Sequence, residues 1–235
     1  MAQLTVEAVI DSVMNQKKPN TNYGSNPAIT HQVTYDITGK SAWFRSIGNF
    51  DVSALAGASI LSAKLVREVY SVSNGGKEAR VSRCTRPSQW TEGGVTWNMY
   101  DGVNNWTNVG GDLDDTGPPA AITYIEPFVA GTHEVLGLKG FVEDALANRG
   151  GIVSIITRLL DEDPGVTTQY LWRSKEYGSN VWRLVVDYST SEPRRSVQAG
   201  SLARGAPAAR PGRPSGATRP TPPNRAKKHT PRRAR

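Results

Sequence analysis

Apolar and polar residues alternate with a period of two along most of the chain. Leu4, Val6, Ala8 and Ile10 fall on one face of an extended segment, while Thr5, Glu7 and Asp11 fall on the other, with Val9 as the exception. Similar β-rich runs occupy residues 42–47, 60–69, 79–84, 121–129, 151–157, 168–173 and 181–188. Turn signals separate them, among them Tyr23-Gly24-Ser25-Asn26-Pro27, Asn74-Gly75-Gly76 and Thr116-Gly117-Pro118-Pro119. The pattern predicts an all-β fold, a single antiparallel sandwich of about eight or nine short strands. Only residues 139–150 break it. There Phe141, Val142, Ala145 and Leu146 share a helical face, Glu143 and Asp144 sit early, and Gly150 can end the helix in a left-handed conformation. One short helix closing an end of the sandwich is expected.

Charge divides the chain in two. Residues 1–190 carry 16 Lys and Arg against 20 Asp and Glu, and residues 191–235 carry 12 against Glu192 alone, so net charges of −4 and +11 make up the +7 of the whole. The second segment holds 8 of the 15 prolines, no aromatic residue, and only Val197 and Leu202 as large aliphatics. It cannot bury enough apolar surface to offset a chain entropy of about 1–2 kcal/mol per residue. The expected organisation is a sandwich over residues 1–190 followed by a disordered, Pro/Arg-rich basic tail over 191–235. The acidic balance of the first part excludes a basic nucleic-acid-binding domain there.

Cys84 is the only cysteine, which excludes an intramolecular disulfide framework and a multi-thiolate metal site. His31, His133 and His229 share no ligand-type spacing. No run approaches the roughly 20 apolar residues of a membrane-spanning helix, so no membrane insertion is expected. The start of the chain has neither a basic beginning nor a long apolar core, so no signal peptide is expected.

A series of motifs follows in order. Pro19-Asn20-Thr21-Asn22-Tyr23-Gly24 comes after the first strand, then Phe50-Asp51-Val52-Ser53-Ala54-Leu55 and Ala58-Ser59-Ile60-Leu61-Ser62-Ala63-Lys64-Leu65. Trp90-Thr91-Glu92-Gly93-Gly94-Val95-Thr96-Trp97-Asn98 stands further on, and the series closes with Ser174-Lys175-Glu176-Tyr177 and Arg183-Leu184-Val185-Val186-Asp187-Tyr188. From about Leu4 to Tyr188 this order resembles the DNRLRE family, a jelly-roll β-sandwich related to the disaggregatase repeat and to a family of carbohydrate-binding modules. The resemblance implies a non-catalytic module, usually attached to secreted polysaccharide-processing enzymes and surface proteins and also found in phage structural proteins. With no secretion signal and no accompanying catalytic domain expected, the reading moves toward a polysaccharide-binding protein displayed on a virion or cell exterior. The alternative is a structural virion protein, a capsid decoration or tail component, that uses the sandwich for subunit contacts without binding glycan.

Individual residues refine this picture. Asn22 and Gly24 supply turn chemistry, with Tyr23 folded onto the sandwich edge. Asp51 and Ser53 suit capping of backbone groups. Trp90 and Trp97 bracket a Gly-Gly turn and are expected in the core, because an indole buries a large area and needs one hydrogen-bond partner. Tyr100, Asn104, Asn105 and Trp106 lie in a polar stretch outside the family's motifs, where loops on a rigid scaffold concentrate binding residues. They are the expected carbohydrate contacts, Trp106 being either a lid over the sandwich end or an exposed stacking residue. No cofactor is expected. The runs Asp112-Leu113-Asp114-Asp115 and Asp161-Glu162-Asp163 could hold a structural calcium ion but suit solvated turns better. Catalysis would need a nucleophile beside a base or two facing carboxylates. Glu92 and Glu176 could form such a pair, yet nothing in the sequence places them together. The tail's Arg and Lys residues suit non-specific binding to an anionic polymer, since without aromatics they cannot stack on bases.

Overall fold

The alternation at the start of the chain produces strand β1 (Ala2–Glu7), whose burial alternates as expected; Val9 continues it by turning outward, and Asp11, expected on the outer face, breaks it by being buried. The computed structural model describes residues 1–35, 41–161 and 166–190. The expected tail over 191–235 lies outside the described residues, as do Glu162 and Asp163. Contacts divide the chain into Met1–Pro193 and Arg194–Arg235, and all the strands and the helix that follow belong to the first of these units.

Eleven further strands follow β1: β2 (Ile10–Asn15), β3 (Ala28–Tyr35), β4 (Ser41–Asp51), β5 (Ser59–Ser73), β6 (Glu78–Cys84), β7 (Leu113–Asp114), β8 (Ile122–Ile125), β9 (Gly131–Leu136), β10 (Ile152–Leu159), β11 (Thr168–Arg173) and β12 (Arg183–Ser189). All pairings are antiparallel, in the order β1-β12-β5-β11-β3-β4-β10-β6-β7, with β2 on β4, β8 on β6 and β9 on β5. The sheet curls on itself into the jelly-roll sandwich because its two longest strands change partners along their length. Strand β5 pairs with β12 through Ser59–Val66 and with β11 through Val69–Ser73. Strand β4 pairs with β3 through Ser41–Phe44 and with β10 through Ser46–Asp51. Strands that pass from one sheet to another in this way make the corners of a folded sandwich.

The inner faces bury Phe50, Leu65, Val69, Trp172, Trp182 and Leu184 in the main core. Helix α1 (Lys139–Asn148) packs on β5 and β10 and adds Phe141, Val142 and Ala145, with Leu146 half-buried beside them. Gly150 follows at φ +61°, the left-handed conformation expected of it.

Strand β10 is apolar on both sides for a reason. Val153 and Ile155 face the main core, whereas Ile156 joins a second cluster with Met14, Ile47, Cys84, Trp90, Val95, Trp97 and Trp106. That second cluster lies under the long connection from β6 to β7, so the sheet is covered on both faces there. A strand buried on both faces reads as a continuous apolar run.

Charged residues also enter the core. Arg67, Glu126 and His31 are fully buried. Arg67 donates twice to the Glu126 carboxylate, at 3.0 and 3.1 Å, and to Tyr124 Oη at 3.2 Å. Glu126 can only accept, so His31 Nδ1 carries the proton of their 2.9 Å bond and Nε2 accepts from Thr157 Oγ1. Burial pushes the Glu126 carboxyl up, but the Arg67 charge and the His31 hydrogen bond outweigh it and hold the group well below its ordinary range. Burial pushes His31 down. Thr157–His31–Glu126 has the connectivity of a hydroxyl–imidazole–carboxylate relay, yet the three are sealed from solvent. They are a satisfied polar core. Among the described residues no helix is long and apolar enough to cross a membrane.

Candidate functional site

The connection from Thr85 to Asp112 is held down by its indoles. Trp90 and Trp97 are 3% and 4% exposed, as expected of packing residues. Trp90 Nε1 donates to Asn49 Oδ1 at 3.0 Å and Ser154 Oγ at 3.2 Å, so its polar atom is satisfied inside the cluster. The Arg45 guanidinium covers the Trp97 ring at 5.0 Å. Asn22 ties the preceding turn to this connection. Its Oδ1 accepts from Gly24 N at 3.1 Å, the expected turn bond, while Nδ2 donates to the carbonyls of Glu92 and Val95 at 2.6 and 2.8 Å. Gly24 is required by proximity rather than by positive φ, because a Cβ there would stand 2.3 Å from the Glu92 carbonyl oxygen. Asn15 Nδ2 donates to Tyr23 Oη at 2.9 Å, and Tyr23 packs half-buried on the main core. Asp51 accepts from Ser53 N at 2.9 Å as a local cap.

The four expected carbohydrate contacts share one tight hairpin. Tyr100 N donates to Asn104 O at 3.0 Å, Trp106 N to Asn98 O at 2.9 Å, and Met99 bridges Asn105. Asp101 closes the tip, accepting from the backbone of Val103 and Asn104 and from Asn104 Nδ2 at 2.6–2.9 Å. Those bonds from Asn104 and Val103 hold the Asp101 carboxyl below its ordinary value. Asn104 and Asn105 are exposed and Tyr100 is half-buried. Trp106 is 4% exposed and donates Nε1 to Thr96 O at 3.0 Å. Of its two expected alternatives the structure shows a packed ring, lying over the outer face of the sheet and 5.6 Å from the Tyr100 ring. It supports Tyr100 and turns no face to solvent.

A polar cleft of about 380 Å³ opens beside this hairpin, lined by Thr85, Arg86, Gln89, Thr107, Asn108 and Asp112. Arg86 organises it. Its guanidinium lies 4.7 Å over the Tyr100 ring, and it donates to Asp112 at 2.5 Å, Gln89 at 3.0 Å and Thr107 at 2.9 Å. Asp112 also accepts from the backbone of Thr107 and Asn108. Burial pushes the Asp112 carboxyl up, but these donors prevail and hold it below its ordinary value. The cleft therefore presents fixed amides, hydroxyls and one paired guanidinium, a lining able to exchange hydrogen bonds with hydroxyl groups. No motif marks Arg86 in the sequence.

The acidic run 112–115 is not a solvated turn. Asp112 pairs with Arg86, Asp114 with Arg83, and Asp115 with Arg80 and Arg158. Arginines of β6, β10 and the connection after β6 already pair with the carboxylates expected as calcium ligands. The second run, around Asp161, lies partly outside the described residues.

Glu92 and Glu176, which the sequence could not pair, do meet. Lys175 Nζ stands 3.1 Å from Glu92 Oε2 and 2.5 Å from Glu176 Oε1. Asp11 joins them, its backbone N donating to Glu92 Oε1 at 3.0 Å and its Oδ2 accepting from Lys175 N at 2.9 Å and Trp182 Nε1 at 2.7 Å. Burial pushes Asp11 up to about 7 against the lowering effect of those two donors, with the charges of Glu176 and Glu92 adding to the rise. One ligand oxygen from each of Asp11, Glu92 and Glu176 lies within 4.8 Å of the others, a spacing compatible with a divalent cation, but the Lys175 ammonium already supplies positive charge there. Cys84 is buried in β6, and burial pushes its thiol up to about 11, as suits a small hydrophobe.

Comparison with known proteins bears on this region. No curated protein matches the chain. Residues 2–106 match the family model of carbohydrate-binding module family 96, which supports a domain of the carbohydrate-binding-module kind and spans β1 through the hairpin that ends at Trp106.

Proposed function

We propose that residues 1–190 form a non-catalytic, DNRLRE-like module that binds polysaccharide through the Tyr100 hairpin and the adjoining cleft. The match of residues 2–106 to a carbohydrate-binding module family carries this reading. In the proposed complex Tyr100, Asn104 and Asn105 contact the sugar, with Trp106 as the packed support beneath Tyr100. Arg86, Gln89 and Asn108 exchange hydrogen bonds with hydroxyl groups. Such a site leaves much of the sugar hydrated, so affinity is modest. Display on a virion or cell exterior, with the tail engaging anionic polymers, completes the proposal. A glycan array tests it, run in about 0.5 M salt to screen the tail's exposed charges. Binding that weakens on Tyr100→Ala or Asn104→Ala supports the hairpin. Failure to bind any glycan would favour the alternative, a structural virion protein that uses the same sandwich for subunit contacts.

A further inference from the structure

Two exposed tyrosines and an unpaired arginine meet on the outer face of the sheet, among β5, β11 and the turn that follows β11. The β5–β11 register places Ser71 opposite Leu171 and Val69 opposite Trp172, so Tyr70 is the extra residue of a β-bulge. A bulge re-aims a side chain, and here Val69 stays in the core while Tyr70 turns outward at 43% exposure. Along β11, Tyr170 and Trp172 are buried, which leaves Gln169, Leu171 and Arg173 on the outer side.

The next turn brings the second ring. Ser174 is buried, donates to Asn26 O at 2.7 Å and caps a single 3₁₀ turn over Lys175–Tyr177 that ends at Gly178 with φ +80°. That geometry places the 49%-exposed Tyr177 ring 4.2 Å from the Arg173 guanidinium. Tyr70 shares the outer face with Arg173, because Val69 pairs with Trp172 and the next residue on each strand turns outward; in keeping with this, burial and Tyr177 raise its hydroxyl pKa while Arg173 lowers it. Arg173 has no carboxylate within ion-pair distance among the described residues, and its Nε is buried without a hydrogen-bond partner. Each of the other arginines that line the cleft or its neighbourhood, Arg80, Arg83, Arg86 and Arg158, has an acidic partner.

We infer that Tyr70, Arg173 and Tyr177 form a second carbohydrate-contact platform, separate from the Tyr100 hairpin, that takes an interior segment of a polysaccharide chain. The inference rests on the carbohydrate-binding reading above and adds a site to it. Each tyrosine offers an exposed ring on which the CH face of a pyranose packs, with a hydroxyl at its wet end. The guanidinium offers free donors in a fixed fork to the sugar's oxygens. The platform lies on the outside of a sheet rather than at the bottom of a pit, so the chain can continue past it in both directions.

Isothermal titration calorimetry of the full chain against soluble β-glucan, xylan, galactomannan and polygalacturonate, in about 0.5 M NaCl, tests it. The parent is expected to bind at least one of these. Tyr70→Ala and Tyr177→Ala are each expected to weaken that binding at least fivefold, Tyr177→Phe to retain it, and Arg173→Met to weaken it while melting like the parent. If the parent binds and the platform variants, folded by their melting curves, bind equally well, the platform is wrong and the carbohydrate reading stands. If the parent binds none of the four, both are overturned.

Discussion

Arg67 and Glu126 form a two-pronged ion pair inside the sandwich, at 3.0 and 3.1 Å, with neither side chain exposed to solvent. Each is the other's principal neutraliser, so removing one strands the other in a medium that penalises isolated charge. Glu126→Gln is expected to cost about 3–5 kcal/mol of folding stability. Arg67→Met combined with Glu126→Gln should cost clearly less than the sum of the two single changes. Urea denaturation of the four proteins completes the cycle, and additive losses would show that the pair is not coupled.

Acidity acts on this core with a calculable sign. His133 Nδ1 accepts from Arg67 at 2.8 Å, and burial followed by the Arg67 charge lowers the imidazole pKa. Like buried His31, it binds fewer protons in the folded state than in the unfolded one, so stability falls as pH drops below about 6.5. Asp11 works the other way. Raised to about 7, it binds more protons when folded, and its contribution is present below its unfolded value near 4 and lost as pH rises toward 7. Asp11→Asn keeps an acceptor for Trp182 and Lys175 but removes this opposing term. Between pH 4 and 7 the variant's stability is therefore expected to climb more steeply with pH than the parent's, as urea midpoints across that range would report. Equal slopes would mean that Asp11 is not raised.

The sequence disclosed the elements whose pattern has one cause. Helix α1 buries one apolar face at helical spacing, whereas β10 and β12 carry continuous apolar runs, and both kinds of pattern are visible in the sequence. Strand β2 did not stand out because Asp11, Ser12 and Asn15 are buried polar residues; Asp11 is satisfied by the distant Lys175 and Trp182, which no local pattern records, and Asn15 by the nearby Tyr23 and Lys17. Strand β3 hides in the same way, since His31 points into the core where an apolar residue is expected. The Glu92–Lys175–Glu176 group joins positions more than 80 residues apart, and only the fold brings them together. Composition left Trp106 open between a lid over the sandwich end and an exposed stacking residue, because its neighbours are Asn and Thr. Those neighbours face solvent, while the ring turns under them onto the sheet.

Trp106 should consequently behave as core. Trp106→Ala is expected to cost about 3–5 kcal/mol, the range for deleting a buried indole. Trp106→Phe keeps most of the packing and loses the bond to Thr96 O, a change of about 1 kcal/mol beyond the packing lost. Tyr100→Ala, at a half-buried position, should lie well below Trp106→Ala. Thermal melts of the three variants decide the order, and a Trp106→Ala protein as stable as its parent would return that residue to the surface.

The chain's acidic and basic segments divide just after strand β12, which ends at Ser189. Strand β12 completes its pairing with β5 at Ser189 opposite Ser59, and with β1 at Tyr188 opposite Ala2, so no register bond in either ladder needs a residue beyond 189. Truncation after Thr190 is therefore expected to leave the melting midpoint within a few degrees of the parent's. It also changes the net charge from +7 to −4. At pH 7 the full chain should be retained on a sulfonate cation exchanger and released by salt, whereas the truncated protein should pass through, because exposed charges act over only about 10 Å at 0.1 M salt. Loss of soluble folded protein on truncation would show that the basic segment contributes to the fold, and retention of the truncated protein would show that the sandwich carries a basic face of its own.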